Sequence, residues 1–303
     1  IAEIGCYAGY RLSIERFPGK TGNVIPEIQE ASVAADRLNE LLAMETEDVE
    51  DRSVELNIGN IQIHNMSFEY GDTEVLKNIS LHIKKGESIA IVGESGCGKT
   101  TLVKALMGLY PVTSGEICYD KQLIGEIPLT SLRKKIAYVP QNQFLYAASI
   151  RDNLSLDQEL TDEEIQEACR TVGMHEKILK MSNGYQTKLE EGGGNLSGGE
   201  RQRLSIARAL LRKDAELFVL DEATSNLDSK TENAIIHVLF EQLKDKTRVI
   251  VAHRLGTIRH CDRIVVLNSN GQIEEVGSHE ELMRKKNLYY QLWNRQNETE
   301  KLY

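Results

Sequence analysis

Apolar positions follow two patterns between residues 61 and 267, and both predict β-strands. In the segments IQIHNMSFEY at 61–70 and ISLHI at 79–83, apolar and polar residues partly alternate, with Gly71 and Asp72 between them. This pattern is typical of half-buried antiparallel strands joined by a turn. Five short runs are instead almost wholly apolar and rich in β-branched residues: SIAIV at 88–92, IAYV at 136–139, LFVL at 217–220, RVIVA at 248–252 and RIVVL at 263–267. Because several are separated by helical stretches, they predict a buried, mostly parallel sheet in an α/β protein.

Helical periodicity dominates the region between the second and third of these runs. Thr161 and Glu164 have capping-box spacing at the start of the segment TDEEIQEACRTVGM. We therefore expect residues 142–203 to form a mainly helical insertion within the α/β domain.

A separate amphipathic helix is predicted near the start of the chain, within residues 23–52. Pro26 suits a first helical position. Apolar residues then recur at helical spacing, at Ile28, Val33, Ala34, Leu38, Leu41 and Leu42. This pattern fits a solvated surface helix as well as a helix that binds a partner. Residues 1–22 contain several glycines and no sustained period, so they read as an unassigned remnant or linker, and a chain that begins at Ile1 reads as a fragment.

Composition narrows the function classes. The chain has 303 residues and a formal net charge of −10, which argues against binding to nucleic acid or to anionic lipid. Its apolar runs are far shorter than the roughly 20 residues that span a bilayer, so no transmembrane helix is expected. Five cysteines without a CxxC pair predict reduced thiols in the cytosol rather than disulfides or a zinc site.

The segment GESGCGKTT at 93–101 follows one predicted buried strand directly and precedes a predicted helix. Glycines at 93, 96 and 98 let the backbone N–H groups point inward around an anion, and a helix N-terminus adds a favourable dipole. Lys99 can then reach the β- and γ-phosphates of a nucleotide, and the Thr100 hydroxyl can bind Mg²⁺. The alternative, a glycine-rich turn that only connects strand to helix, does not explain the lysine and threonine.

Polar residues that could complete such a site follow other predicted strands. Asp221 and Glu222 end the run LFVLDE, where Asp221 can hold Mg²⁺ and Glu222 can act as general base toward water. Gln141 follows the strand at 136–139 and is placed to reach the metal or the water. His253 follows the strand at 248–252, where its imidazole could meet the γ-phosphate.

The segment LSGGERQRLSIARAL at 196–210 is not required by phosphate-loop chemistry in general. Its Ser-Gly-Gly at 197–199 offers a hydroxyl and bare N–H groups at a helix start, which makes a second anion site. The stretch resembles the signature motif of ABC ATPases. The resemblance extends from about residue 57 to 295, and we expect residues 57–303 to form the ATPase domain.

The resemblance implies a role for each matching position. Tyr70 corresponds to the residue on which adenine stacks, Gln141 to the Q-loop, SNLD at 225–228 to the D-loop and His253 to the switch histidine. Implied catalytic residues are Glu222, His253 and Gln141, and implied metal ligands are Thr100, Gln141 and Asp221. The implied nucleotide-binding residues are Tyr70, Gly93, Glu94, Ser95, Gly96, Cys97, Gly98, Lys99, Thr100, Thr101, Ser197, Gly198 and Gly199.

The resemblance also implies partners and a cellular setting. Two such domains, expected to be identical, dimerise head to tail around ATP and Mg²⁺, so that Ser197 and Gly199 act in trans. The segment at 28–42 is similar to the helix that joins membrane spans to the ATPase in exporters of peptides or bacteriocins. The loop TKLEEGGG at 187–194 resembles a segment that contacts the membrane domain. We therefore expect an exporter domain at the cytoplasmic face of the membrane, with a peptide or bacteriocin cargo and no nucleic-acid partner.

Two other readings remain open at this stage. A soluble ABC-type ATPase of DNA repair or translation usually carries a long coiled-coil insertion or a second ATPase cassette, and neither is visible in the sequence. A kinase or GTPase with the same phosphate loop would leave LSGGE at 196–200 without a role.

Overall fold

The computed structural model describes residues 24–44, 56–156, 158–252 and 254–300. It divides into two units, with the boundary between residues 50 and 51. The first unit contains helix α1 (Val24–Leu42). This helix begins two residues before Pro26, so the predicted first position of that proline is wrong by two residues. Pro26 still lies in the first turn, where a backbone N–H has no intrahelical acceptor and its absence costs little. Residues 1–22 lie outside the described part of the chain.

The second unit is built on a six-stranded sheet with the strand order β10-β9-β3-β8-β7-β6. The strands are β3 (Ser88–Gly93), β6 (Ile136–Val139), β7 (Leu217–Asp221), β8 (Thr247–Val251), β9 (Arg263–Leu267) and β10 (Ile273–Gly277). Five of them run parallel, and β10 pairs antiparallel with β9 at one edge. The predicted mostly parallel sheet is confirmed.

A second, four-stranded antiparallel sheet has the order β2-β1-β4-β5. It consists of β1 (Ile61–Tyr70), β2 (Thr73–Ile83), β4 (Ser114–Tyr119) and β5 (Gln122–Leu123). Strands β1 and β2 form the hairpin that the alternating pattern predicted, with the turn at Gly71 and Asp72.

The parallel sheet separates two hydrophobic cores because successive side chains of a strand point to opposite faces. In β3, Ile89 and Ile91 pack into the core shared with the antiparallel sheet, whereas Ala90 and Val92 pack into the core shared with the helices. Both faces of the strand are therefore buried, which explains why its sequence is continuously apolar instead of alternating.

Helices flank both cores. They are α2 (Lys99–Leu106), α3 (Leu129–Lys134), α4 (Ile150–Ser155), α5 (Asp162–Thr171), α6 (His175–Leu179), α7 (Gly198–Leu210), α8 (Ser229–Gln242), α9 (His279–Lys285) and α10 (Leu288–Glu300). Helices α4 to α7 lie between β6 and β7, where the mainly helical insertion was expected. Helix α5 begins with the predicted capping box of Thr161 and Glu164. Within the described ranges, no helix is both long and apolar enough to cross a bilayer.

Strand direction determines where a site can form. Strands β3, β8 and β7 are neighbours and parallel, so their carboxyl ends lie at one edge of the sheet. These strands end at Gly93, Val251 and Asp221. Open α/β sheets bind ligands at this edge.

Candidate active site

The loop from Gly93 to Gly98 joins β3 to α2 and has the geometry of a phosphate cradle. Gly98 is the N-cap of α2 and has a φ of 97°, which is unfavourable for residues with a Cβ atom. A Cβ atom there would also lie 2.7 Å from Leu76 Cδ2. At Gly93, a Cβ atom would approach Leu267 O to 2.5 Å. These glycines are therefore required by the backbone path of the loop itself.

Lys99, the first residue of α2, turns its side chain back into this loop. Its ammonium group donates hydrogen bonds to Gly93 O at 3.0 Å and Glu94 O at 2.8 Å. The side chain is largely buried. The loop thus holds a positive charge at the place where the sequence analysis put the phosphates.

The neighbouring Cys97 is buried inside the same loop. Burial raises the pKa of its thiol, while the nearby Lys99 ammonium acts in the opposite direction. The thiol is therefore mostly protonated at neutral pH and a poor nucleophile.

A cavity of about 420 Å³ opens beside the loop. Glu94, Ser95 and Lys99 line one side, and Leu292 and Arg295 of α10 line another. The Arg295 guanidinium donates to Glu94 Oε1 at 3.1 Å, and both side chains are exposed to solvent. The C-terminal helix therefore borders the phosphate loop, which the motifs did not predict.

Asp221 lies at the end of β7 and meets α2 at Thr100. The Thr100 hydroxyl donates to Asp221 Oδ1 at 3.1 Å, and the Tyr138 hydroxyl donates to Asp221 Oδ2 at 3.3 Å. The carboxylate is fully buried. Burial raises the pKa of Asp221, and the adjacent Glu222 carboxylate raises it further, against the two hydroxyl hydrogen bonds. A nearby cation would relieve this unfavourable concentration of negative charge.

Glu222 follows with an unusual backbone. Its φ is 50°, in the left-handed region that a residue with a side chain seldom adopts. Its N–H donates to Val251 O at 2.9 Å, which ties it to the end of β8. Its side chain accepts a hydrogen bond of 2.6 Å from Gln141 Nε2. Gln141 and Glu222, which were predicted separately and lie 81 residues apart in the chain, are therefore in direct contact.

Gln202 of α7 is a site residue that the motifs did not identify. It is fully buried, and its Nε2 donates to Glu222 O at 3.2 Å and reaches Ser225 Oγ at 3.5 Å. Its Oε1 accepts a hydrogen bond of 3.0 Å from Asn226 N. One side-chain amide thus fixes three residues after β7. Gln202 lies five positions after the helix N-cap Ser197, and nothing in the sequence distinguished it from other polar helix residues.

His253 lies outside the described residues, but its neighbours along the chain are described. Arg254 Nη1 donates to Glu232 Oε2 of α8 at 2.5 Å and to Leu227 O at 3.3 Å. Leu255 N donates to Gln296 Oε1 of α10 at 2.7 Å. Arg254 and Leu255 are therefore held by contacts to α8 and α10.

Tyr70, at the end of β1, belongs to an aromatic cluster. Its ring is T-shaped to Phe68 at 4.8 Å and to Tyr110 at 5.6 Å between centroids. The Lys104 ammonium lies 5.2 Å from the Tyr110 ring centre. Tyr70 is about half exposed, and its hydroxyl interacts with Thr101 of α2. An exposed ring next to the phosphate loop can stack on a base. Tyr110 is a second aromatic residue of this surface that the motifs missed.

Ser197 is the N-cap of α7. Its hydroxyl accepts from Glu200 N, and Glu200 Oε2 accepts from Ser197 N at 3.0 Å, which forms a capping box. Gly199 lies against the following turn, where an added Cβ atom would be 3.2 Å from Asn226 O. Ser197 thus caps its own helix, whereas Gly199 packs against the turn after β7.

Comparison with known proteins assigns the segment that contains most of these residues to a family. The family described as ABC transporter matches residues 76–225, a range that includes the phosphate loop, Gln141, the 196–200 segment and Asp221. The chain carries an ABC transporter ATPase domain. This domain binds ATP, and the predicted resemblance is confirmed.

Relatives of this ABC ATPase domain include two bacterial proteins with curated names. The ATP-dependent lipid A-core flippase of Syntrophus aciditrophicus is 43% identical over 92% of the chain. An ATP-binding/permease protein of Staphylococcus aureus, named for multidrug export, is 44% identical over 80% of the chain. The chain spans 47% and 42% of the lengths of these two relatives.

A solved structure gives the same result for the fold. A bacterial Atm1-family ABC exporter with ATP bound superposes with a TM-score of 0.81 at 32% identity. The match covers 91% of this chain and 49% of that chain. The phosphate-loop α/β fold predicted from the sequence is confirmed.

Proposed function

We propose that this ABC ATPase domain hydrolyses ATP to drive an exporter. The observation that carries the proposal is the contact of Gln141 with Glu222 beside the Thr100–Asp221 pair, at the strand edge that holds the phosphate loop. This arrangement places the Glu222 carboxylate, which can accept a proton from water, close to the Thr100 and Asp221 oxygen atoms, which can bind a metal ion. Hydrolysis at a phosphate loop uses these two components, a residue that orients the attacking water and ligands for Mg²⁺.

The residues divide the chemical work among them. Lys99 and the N–H groups of the loop bind the phosphates, and the Lys99 ammonium exchanges its two carbonyl acceptors for phosphate oxygens. Glu222 Oε2 accepts a proton from the attacking water, and the Gln141 amide holds that carboxylate in place through its hydrogen bond. The Tyr70 ring stacks on the adenine, and Glu94, Ser95, Gly96, Cys97, Gly98 and Thr101 form the wall of the phosphate pocket.

A magnesium ion fits the residues at the end of β7. Thr100 Oγ1 and Asp221 Oδ1 are hard oxygen ligands 3.1 Å apart. Burial, with the neighbouring Glu222 carboxylate, raises the pKa of Asp221, and a bound cation would favour its ionised form. Thr100 and Asp221 would hold the ion, with Gln141 beside them. When bound, the ion would neutralise charge on the β- and γ-phosphates.

The second half of the site is proposed to come from another copy of the chain. The N-terminus of α7, with Ser197, Gly198 and Gly199, can bind an anion through its backbone N–H groups. Head-to-tail pairing of two identical chains would place it over the ATP held by the partner's loop. His253 is proposed as the switch residue of each site.

A surface suited to a membrane partner lies next to Gln141. Phe144 and Tyr146 are each more than half exposed and form a T-shaped pair with 5.1 Å between centroids. The predicted contact loop pairs with this segment, since Leu189 N donates to Ala148 O at 2.8 Å and Ile150 N donates to Thr187 O at 3.0 Å. Gln143, next to Phe144, donates from Nε2 to Gln141 O at 2.7 Å, so this surface adjoins Gln141. We propose that it binds a transmembrane domain, at the cytoplasmic face of the membrane, with α1 in the connecting segment 23–52.

The choice of transported substrate would be determined by the transmembrane domain. One relative described above is named a lipid A-core flippase and the other is named for multidrug export. These names do not support the predicted peptide or bacteriocin cargo. That cargo rests on the likeness of residues 28–42 alone. The exporter proposal does not depend on it.

Glu222→Gln tests the proposal. Phosphate release should fall by about 100-fold or more, since general-base catalysis contributes about this much. Binding of ATP should persist, and with ATP and Mg²⁺ the variant should elute as a dimer in light-scattering chromatography. Glu241→Gln, on the exposed face of α8, is the matched control and should hydrolyse ATP like the wild type. Unchanged hydrolysis in Glu222→Gln would remove the general-base assignment, and an ATP-bound monomer would remove the head-to-tail pairing.

A further inference from the structure

A buried carboxylate on α8 joins the segments that flank the proposed site. Glu232 is only 3% exposed. Because an ionised side chain is seldom buried without a specific partner, we expect this carboxylate to be paired. Its Oε1 accepts a hydrogen bond of 2.7 Å from Thr224 Oγ1, and its Oε2 accepts one of 2.5 Å from Arg254 Nη1. Both carboxylate oxygens are therefore bound to charged or hydroxyl donors.

The two partners belong to different parts of the site. Thr224 lies two residues after Glu222, and Arg254 lies three residues after Val251, the last residue of β8. Arg254 also donates to Leu227 O at 3.3 Å, in the proposed D-loop. Glu232 and Arg254 therefore fix the turn after β7 against the segment after β8.

The Glu232–Arg254 pair and the proposed catalytic residue Glu222 line the same crevice. This narrow crevice of about 20 Å³ is lined both by Glu222 and Ser225 and by Glu232, Arg254 and Thr257. Any shift of the buried pair changes the walls of the same crevice. Glu232 lies four residues after the proposed D-loop at 225–228, on a helix to which the motifs assign no role.

We propose that Glu232 is a positioning residue for ATP hydrolysis. Through Thr224 and Arg254 it holds the segment after Glu222 in register with the segment after β8, so that the general base and the residues after β8 face the same nucleotide. It makes no contact with substrate in this role. The inference rests on the proposed ATPase function and adds to it a residue outside the motifs.

The test is a split between kcat and KM. Glu232→Gln keeps the shape of the side chain but removes its charge, and kcat for ATP should fall about tenfold or more, because small misplacements of catalytic groups are costly. The KM for ATP should stay within about twofold, since the phosphate loop is untouched. Glu275→Gln is the matched control: Glu275 is also buried, and it accepts a hydrogen bond from Tyr289 N at 2.9 Å. Its kcat should stay within about twofold of the wild type.

A second pair of variants decides the question if Glu232→Gln does not fold. Thr224→Val removes the hydroxyl at nearly constant volume and should lower kcat by about threefold or more, whereas Thr224→Ser keeps the donor and should restore it. Thermal unfolding midpoints measured on the same samples separate loss of fold from loss of position.

Three outcomes would overturn the inference. These are a kcat within about twofold of the wild type in both Glu232→Gln and Thr224→Val, an equal loss of kcat in Glu275→Gln, or a loss expressed only in KM. Failure of the underlying ATPase proposal is recognised separately, because the wild-type domain itself would then release no phosphate from ATP.

Discussion

Replacing Gln202 by leucine should both destabilise the domain and slow hydrolysis. The side chain is fully buried and makes two good hydrogen bonds, to Glu222 O at 3.2 Å and from Asn226 N at 3.0 Å, with a weaker third to Ser225 Oγ at 3.5 Å. Each buried bond contributes about 1 kcal/mol, and its unpaired partner loses solvation as well. Leucine fills nearly the same volume, so little of the loss comes from a cavity.

The expected loss of unfolding free energy is therefore roughly 2–3 kcal/mol, or about 5–10 °C in melting temperature for a domain of this size. The value should appear in urea titrations followed by circular dichroism, as a lower midpoint with an unchanged slope. Because the amide also fixes the carbonyl of Glu222, kcat should fall about tenfold in the same variant.

Gln242→Leu provides the comparison. Gln242 is exposed on α8 and donates one hydrogen bond of 3.3 Å to Thr171 Oγ1, so its replacement should change stability by less than about 0.5 kcal/mol. If Gln202→Leu also changed stability by less than about 0.5 kcal/mol, the hydrogen bonds of Gln202 would not carry the weight assigned to them.

Two further predictions concern ionisable groups in the site. The raised pKa of Asp221 means that folding favours its protonated form, so its contribution to stability is present at low pH and is lost as the pH rises through the folded-state pKa. In nucleotide-free buffer with EDTA, Asp221→Asn should therefore be more stable than the wild type at pH 7–8, and the difference should shrink toward pH 4; a difference independent of pH would contradict the burial argument. The raised pKa of the Cys97 thiol predicts slow alkylation by a maleimide that accelerates with pH, blocks hydrolysis and is prevented by ATP. Inactivation that persists in Cys97→Ser would assign the effect to another cysteine.

The sequence predicted the parts of the site that lie in one short segment each. The loop at 93–101 is specified by glycines that its backbone path requires. The strands at 88–92 and 217–220 are buried on both faces, and their continuous apolar sequence predicts this burial. Asp221 and Thr100 could be paired because parallel strands end at one edge of a sheet.

Residues that act through distant partners could not be predicted in this way. Gln202 is defined by bonds to residues at least 20 positions away, and Tyr110 by rings on β1. The border between α10 and the phosphate loop depends on the contact of Arg295 with Glu94, 201 residues apart. Such contacts follow from the packing of the two cores and leave no periodic pattern in the sequence.

The left-handed backbone of Glu222 has a consequence for anyone who stabilises this domain. A residue with a side chain at this φ carries a conformational cost of about 1–2 kcal/mol that glycine would avoid. Selection for thermostability alone would thus favour a replacement that removes the proposed general base. Because stability and activity conflict at this position, residue 222 should be kept constant in any mutant library. A variant with a higher melting temperature and a substitution at 222 should be tested for ATP hydrolysis first.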